Sequence, residues 1–210
     1  MRPEPVALSL RDEIARKALH LILVAVPLAY ARGIPRGTLL LGLGVLLAVA
    51  LIVELVRLRS MRGHVLFMKA VGPLLREHER ASWSGATWLF ATLFLVVLLL
   101  SRQVAIAAAW AVTVGDAAAA VVGRGWSSWR RRGRGSMEGV GGGKTVAGSL
   151  ACLTAAFAGA VGVSHLSLGA SLTGAVAAAL AERAAGPGDD NARVAVGMAV
   201  GILLWRMMFS

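Results

Sequence analysis

Long apolar runs separated by short polar segments make up most of this chain. Ala86–Leu100, for example, contains no charged residue. A membrane-spanning helix needs about 20 mostly apolar residues, within a range of roughly 17–25. The pattern predicts an all-α polytopic membrane protein, with its 210 residues in a single domain. It has seven candidate spans, at about 15–31, 38–56, 83–101, 104–123, 146–164, 167–184 and 192–209.

Two of the connections between spans are long, at about residues 57–82 and 124–145. The first mixes apolar residues with arginines, which is typical of a helix lying in the headgroup layer. The second predicts a mobile Gly/Arg-rich loop, because it has little apolar content. Its arginines include Arg130, Arg131, Arg132 and Arg134.

Composition and charge support the membrane class. The chain is 57% hydrophobic and only 16% charged, whereas a soluble domain carries about 25% charged residues. The net charge of +11 would suit nucleic acid. No basic stretch is interleaved with the aromatic residues that base stacking requires, so we expect no nucleic-acid partner. The single cysteine, Cys152, lies in an apolar run and provides no disulfide framework.

The charges are distributed unevenly between the two predicted sides. Eighteen of the 22 Lys and Arg residues fall on the side of the N-terminus and four on the other, which predicts an N-in, C-out topology. All 11 acidic residues also lie on or near the inner face. The positive-inside rule does not require this of carboxylates. It therefore indicates a functional site on the cytoplasmic face, in the plasma membrane if the source is prokaryotic.

Asp116 is a carboxylate inside an apolar run, about two turns before the fourth span ends. Burying it costs about 3 kcal/mol, and the adjacent Gly115 weakens a helix by about 1 kcal/mol. We predict that Asp116 binds a divalent cation or a polar substrate; the alternative is a structural pair with Arg124. Two more carboxylates, Glu54 and Glu182, lie at the inner ends of their spans. Their structural alternatives are ion pairs with Arg57 and Arg183, respectively.

A Gly-rich run from Gly139 to Gly143 leads into Lys144 and Thr145 at the start of the fifth span. Converging backbone N–H groups, the helix dipole and the lysine suit phosphate groups. A P-loop is excluded because Glu138 stands where its pattern requires Gly, and no strand is predicted before it. We predict a phosphate-binding helix start; the alternative is a flexible linker capped by Thr145.

Near the N-terminus, Glu13, Lys17 and His20 share one helix face by their spacing. Taken alone, such residues are an ordinary membrane anchor whose cations reach the interface. Together with Asp116 and Lys144 they indicate phosphate chemistry, because phosphoryl transfer mainly needs positioning and charge neutralisation.

An ordered set of short motifs covers nearly the whole chain. In chain order they are Glu13-x-x-Arg16-Lys17-x-x-His20, Glu54-x-x-Arg57, Arg76-x-x-Glu79, Ser84-Gly85-Ala86-Thr87, Gly115-Asp116-x-x-Ala119-x-x-x-Gly123-Arg124, Lys144-Thr145-x-x-Gly148-Ser149, Glu182 and Asp189-Asp190-Asn191. This set resembles the dolichol kinase, phytol kinase and CTP-dependent diacylglycerol kinase family of integral-membrane lipid kinases.

The resemblance implies transfer of the terminal phosphate of a nucleotide, typically CTP, to a polyprenol, phytol or diacylglycerol hydroxyl, with Mg²⁺ or another divalent cation. The implied catalytic residues are Arg16, Lys17, His20 and Asp116, with Asp116 as metal ligand. The implied nucleotide-binding residues are Gly123, Arg124, Lys144, Thr145, Gly148 and Ser149. The implied lipid or phosphate contacts are Glu54, Arg57, Arg76, Glu79, Glu182, Asp190 and Asn191. Ala147 stands where many relatives have Glu, which leaves the choice between CTP and ATP open.

Two other functions are compatible with the sequence. A CTP:phosphatidate cytidylyltransferase also combines Asp, Gly-Arg and Lys-Thr, but that family has closely spaced aspartates that Asp189-Asp190 match poorly. A membrane carrier or scaffold is the other alternative. Transporters often have broken helices with polar centres, yet the predicted outer half lacks the acidic residues of an ion path. The sequence specifies neither the alcohol nor the oligomeric state.

Overall fold

In the computed structural model, the described residues are 16–18, 20–72, 75, 77–80, 82–133, 144–184 and 189–209. These residues form helices and no strand, which confirms the all-α class for this part of the chain. Residues 16–18 and 20–22 are helical and are called the N-terminal turn below. The main helices are α1 (Ala25–Ala31), α2 (Arg36–Arg59), α3 (Met61–Val71), α4 (Gly85–Leu99), α5 (Arg102–Trp110), α6 (Asp116–Gly133), α7 (Val146–Gly162), α8 (Leu168–Arg183) and α9 (Asp190–Phe209).

Two shorter elements connect some of these helices. A π-helical segment, Ala111–Gly115, joins α5 to α6 so that the three form one continuous rod. A short 3₁₀ helix, Glu77–Arg80, lies between α3 and α4.

Three elements among the described residues are long and apolar enough to cross a membrane, which is fewer than the seven spans predicted. They are α2, the α5–α6 rod over Arg102–Trp129, and α9. Helices α4, α7 and α8 fall short, with 15, 17 and 16 residues. Extended residues bound α4 and α8 at both ends and α7 at its start. At 1.5 Å per residue a 15-residue helix is about 23 Å long, less than the roughly 30 Å hydrocarbon layer.

The first predicted span is not one straight helix. A turn at residues 23–24 separates the N-terminal turn from the seven-residue α1. Pro27 explains this break, because it has no N–H to donate to the Leu23 carbonyl. That carbonyl instead accepts the Val26 N–H at 3.0 Å, a tighter turn than an α-helix makes.

The connection predicted at 124–145 is wrong in its first part, because α6 continues to Gly133. No proline interrupts this stretch, and the rings of Trp126 and Trp129 pack with their centroids 5.3 Å apart. The Ser127 hydroxyl also donates to the Gly123 carbonyl at 2.9 Å, within the helix. Residues 134–143, with most of the Gly-rich run, lie outside the described residues.

The helix predicted within residues 57–82 is present as α3, and none of its residues is buried. Its Ser60 cap accepts the Gly63 N–H at 3.3 Å. Arg57 and Arg59 belong to the preceding helix, α2, instead of to the connection. An amphipathic helix without a buried face suits a surface position at the headgroup layer.

The α5–α6 rod forms the centre of the bundle, and α2 lies at its edge. The apolar window of the rod is 72% buried, whereas that of α2 is 11% buried. Small residues make this centre, including Ala105, Ala107, Ala108, Ala109 and Ala111. Because Ala side chains are short, α4, α7 and α9 approach the rod closely. The bundle therefore surrounds Asp116, the residue at which the π segment ends.

Glycines allow α9 to contact α8 backbone to backbone. A Cβ at Gly201 would lie 2.5 Å from the Thr173 carbonyl oxygen, and one at Gly197 would lie 2.7 Å from that of Ala177. Their spacing of four residues is typical of closely packed helices. Since α9 also carries Asn191, this packing helps to position the polar residues described below.

We expect Gly201→Leu to lower the free energy of unfolding by about 1–3 kcal/mol, because its side chain would force the α8 and α9 backbones apart. Unfolding in detergent micelles measures this effect. Gly42→Leu is the matched control: it introduces the same side chain into α2, where no described atom lies within 4 Å of the added Cβ. Equal stability of the two variants would contradict the packing.

Candidate functional site

Polar side chains from five parts of the chain meet in the bundle, and the start of α4 adds the Gly85 carbonyl. The N-terminal turn, the starts of α6, α7 and α9, and the end of α8 contribute the side chains, of which Ser149 and Asp190 are half-buried and Lys144 is exposed. Buried polar groups require partners, because leaving one unpaired costs about 2–7 kcal/mol. We call the following residues the polar cluster: Lys17, His20, Asp116, Lys144, Ser149, Glu182, Asp190 and Asn191.

Lys17 and Asp116 form an ion pair between the N-terminal turn and the start of α6. Their side chains are only 5% and 10% exposed. The structural alternative had paired Asp116 with Arg124, its neighbour two turns along the same helix. The partner is instead a lysine 99 residues away in the chain. The ion pair thus joins two parts of the bundle that the sequence alone does not connect.

The π segment sets the position of Asp116. Its N–H bonds to the Ala111 carbonyl, five residues back, instead of to the carbonyl four residues back. Such π-helical turns occur frequently at functional sites. Gly115 lies against α7, where an added Cβ would be 3.4 Å from the Cys152 sulfur. Gly115, a weak helix-forming residue, therefore lies both where the helix type changes and where α7 packs closely.

His20 reaches Asn191 at the start of α9. His20 Nε2 lies 2.9 Å from Asn191 Oδ1, an acceptor, so the imidazole donates through Nε2. The Asn191 amide donates in turn to the Gly85 carbonyl at 3.4 Å. Both His20 and Asn191 are buried. The donation through Nε2 leaves Nδ1 as the remaining proton-accepting position of a neutral imidazole.

Gly85 occupies a crowded position at the start of α4. An added Cβ would lie 3.2 Å from Glu79 Oε1, 3.8 Å from Arg16 Nη1 and 3.9 Å from Asp189 Oδ2. Arg16 is half-buried and Glu79 is buried. The structure therefore places the predicted residues Arg16 and Glu79 beside the polar cluster, on the α4 side.

Lys144 joins the end of α8 to the start of α9. Its ammonium donates to the Glu182 carbonyl and lies 3.2 Å from Asp190 Oδ1 and 3.8 Å from Glu182 Oε1. The Ser149 hydroxyl donates to Glu182 Oε2 at 3.2 Å. The partner of Glu182 is thus Lys144, whereas the structural alternative had named Arg183. Arg183 is exposed.

Thr145 caps α7, as the linker alternative expected. Its hydroxyl accepts the Gly148 N–H at 3.1 Å. Gly123 packs against this turn, where an added Cβ would be 2.9 Å from Thr145 Oγ1. Arg124 follows Gly123 and is half-buried. These contacts bring the predicted nucleotide-binding residues of α6 and α7 together, next to Ser149.

The Lys17–Asp116 pair and the Lys144–Glu182 pair both adjoin α7. Gly115, which precedes Asp116, packs against Cys152 of α7, and Glu182 accepts the Ser149 hydroxyl of the same helix. Cys152 itself is buried in one cluster with Ala119 of α6 and Ala179 of α8. Together the two pairs contain cations able to neutralise phosphates and carboxylates able to hold a metal ion.

Among the described residues, no group of three His, Cys, Asp or Glu side chains could hold a metal ion. Protein sites for Mg²⁺ often use only one or two carboxylates, with phosphate oxygens and water completing the shell. The Asp116 carboxylate, buried beside the cations that would attract phosphates, fits that smaller requirement. Its present partner Lys17 would then be shared with the phosphate groups.

Glu54 and Arg57 form a second buried group next to the polar cluster. Glu54 accepts the Ser84 N–H at 2.8 Å and the Thr87 hydroxyl at 3.3 Å, and it pairs with Arg57. Arg57 also donates to the Glu79 and Arg80 carbonyls at 2.9 and 3.1 Å. The ion pair between Glu54 and Arg57, which was the structural alternative for Glu54, is confirmed. The pair fixes the chain segment that leads into α4.

The sequence missed two contributors to the site. Arg193 pairs with Asp190 from one turn further along α9, and the i,i+3 spacing of these two residues was the available signal. Ser84 contributes a backbone N–H, which no side-chain pattern reveals. The predicted contact Arg76 lies outside the described residues. Comparison of the chain with protein-family models, curated proteins and solved structures found no match.

We expect Arg57→Gln to lower the free energy of unfolding by about 3–5 kcal/mol, because it leaves the buried Glu54 carboxylate without its cation. Unfolding in detergent measures the loss. Adding Glu54→Gln to this variant should recover part of it, since no buried charge is then left unpaired. Arg59→Gln, at an exposed position of the same helix, is the control and should change stability by less than about 0.5 kcal/mol.

Proposed function

We propose that this protein is an integral-membrane lipid-alcohol kinase. It transfers the terminal phosphate of a nucleotide, with CTP favoured as donor, to a polyprenol, phytol or diacylglycerol hydroxyl. The single observation that carries the proposal is the polar cluster. Lys17, Asp116, Lys144 and Glu182 come from distant parts of an apolar chain and form two ion pairs, the buried Lys17–Asp116 pair and the pair of the more exposed Lys144 with the buried Glu182.

The cost of this arrangement supports a functional role. Helices this apolar pack through small residues and need no buried ions for stability. Buried ion pairs often contribute little net stability, because desolvation offsets their attraction. The buried Lys17–Asp116 pair therefore indicates selection for chemistry.

In the proposed reaction, Arg16, Lys17 and Lys144 neutralise the phosphate oxygens, and the capped start of α7 receives part of the triphosphate. Asp116 would hold Mg²⁺, which when bound supplies further charge neutralisation. The acceptor oxygen forms a bond to the terminal phosphorus, and the bond from that phosphorus to the bridging oxygen breaks. The nucleoside diphosphate leaves with the electron pair, and the hydroxyl proton passes to His20 Nδ1.

We also propose that the chain crosses the membrane seven times, with the N-terminus inside. In this arrangement the first segment and the shorter helices α4, α7 and α8 span in addition to the three long elements. The distribution of Lys and Arg supports this topology. It places the polar cluster near the cytoplasmic face, where nucleotides are present, and α3 in the headgroup layer.

Transfer of label distinguishes the candidate functions. Purified protein is incubated with Mg²⁺, a panel of phytol, polyprenol and diacylglycerol, and CTP or ATP labelled at the terminal phosphate. We expect the label to appear in a phospholipid product. If label at the α-phosphate of CTP enters a lipid with release of pyrophosphate, the protein is a cytidylyltransferase. Absence of both products across the panel would favour a carrier or scaffold.

Asp116→Asn should lower the transfer rate by at least about 10³-fold, because it removes the carboxylate proposed to hold the metal ion. The same substitution leaves Lys17 buried without its anion, which destabilises the fold. The double variant Lys17→Met/Asp116→Leu is the companion, since it removes both charges. It should remain folded and inactive. A near-normal rate in Asp116→Asn shows that the metal assignment is wrong.

Cysteine labelling tests the proposed topology. Since Cys152 is the only cysteine, Cys152→Ala provides the background. In sealed vesicles, Lys144→Cys should react with a membrane-impermeant maleimide only from the cytoplasmic side, and Ile34→Cys, at an exposed position in the connection before α2, only from the opposite side. Labelling of both residues from one side would exclude the seven-span arrangement.

A further inference from the structure

A groove of about 450 Å³ follows the last two turns of α2, from Leu51 to Arg59. Its volume lies within the range of about 300–1,000 Å³ that is usual for small-molecule sites. One wall consists of apolar side chains of α2, including Ile52, Leu55 and Leu58. The other wall is Trp83, which directly precedes Ser84 and the start of α4.

Glu54 and Arg59 are the charged residues that line this groove. The Glu54 carboxylate accepts the Ser84 N–H at 2.8 Å, so the groove wall is bonded directly to the chain segment entering α4. The next residue, Gly85, lies beside Arg16 and accepts a hydrogen bond from Asn191. The groove and the polar cluster therefore both adjoin the Ser84–Gly85 segment.

This geometry suits an amphiphile with a long hydrocarbon chain and a small polar end. Helix α2 is at the edge of the bundle, so the groove opens to the surrounding bilayer along its length. Leu55 and Trp83 are each about half exposed there, at 51% and 47%. Because the bilayer is as apolar as the groove, the groove contributes little affinity for a chain. What it contributes is orientation, by fixing where the polar end of the chain lies.

We propose that this groove binds the hydrocarbon chain of the acceptor alcohol and directs its hydroxyl past Ser84 and Gly85 to the polar cluster. The inference rests on the proposed function, and it adds the route and the shape of the acceptor: a single long chain that enters sideways from the bilayer. Arg59, at the end of the groove, is placed to meet the phosphate of the product as it leaves.

Kinetics with a long and a short acceptor test this route. Leu55→Trp fills the groove, and Val45→Trp, at a comparably exposed position ten residues earlier in α2, is the control. For phytol we expect kcat/KM to fall at least tenfold in Leu55→Trp and to stay within twofold in Val45→Trp. For a five-carbon prenol, too short to occupy the groove, both variants should match the unsubstituted protein. An equal loss for both alcohols, or no loss for phytol, overturns the inference.

Photolabelling separates a failure of this inference from a failure of the kinase function, because it requires no transfer. A phytol analogue with a diazirine on its chain is photolysed with the full-length protein in vesicles. We expect saturable labelling of peptide residues 51–58, which unlabelled phytol displaces and Leu55→Trp removes. Labelling around Val45 should resist displacement, as ordinary bilayer contact does. Undisplaced labelling that is equal at both places, or a cross-link between two copies of the chain through this groove, contradicts the assignment even if the protein is an active kinase.

Discussion

The ion pair between Lys17 and Asp116 is the interaction that organises the centre of this bundle. Both side chains are buried, so neither charge is tolerable without the other. The pair holds the N-terminal turn against the point in the central rod where the π segment ends and α6 begins. His20, one turn further along, then reaches Asn191 on α9. The ion pair and this hydrogen bond thus help to fix the relative positions of the N-terminal turn, α6 and α9.

A second, more exposed group of ion pairs joins the ends of three helices. Lys144 spans from the start of α7 to the end of α8 and the start of α9, and Asp190 is shared between Lys144 and Arg193. Such shared carboxylates keep the local charge close to balanced before any ligand binds. In the proposed reaction Lys17 and Lys144 are shared between these carboxylates and the phosphates. This sharing costs little free energy only in a site where helix packing already holds most of the partners.

Much of this arrangement could be predicted from the sequence, and the limits of prediction have physical causes. The carboxylate of Asp116 inside an apolar run and the cap at Thr145 are local properties, and the structure bears them out. The partner of Asp116 was not predictable, because spacing along one helix favours Arg124 and says nothing about Lys17. The extension of α6 to Gly133 was missed because charged and Gly residues were taken as signs of a loop. The exact helix ends depend on local backbone conformation: α8 begins after Ser167, whose hydroxyl accepts the Ala170 N–H, and α4 ends where Leu100 becomes extended.

The distance along the chain between Lys17 and Asp116 has a consequence for biosynthesis. The two residues are 99 positions apart, so at about 5–20 residues per second the lysine leaves the ribosome roughly 5–20 s before its carboxylate partner exists. The interval is longer for His20, because its partner Asn191 is 171 positions away. During this interval the nascent N-terminal segment must keep Lys17 in contact with water or with headgroups. Its final inward docking is therefore one of the last steps of assembly, and a chain that stops before Asp116 carries an exposed cation that distinguishes it from the finished protein.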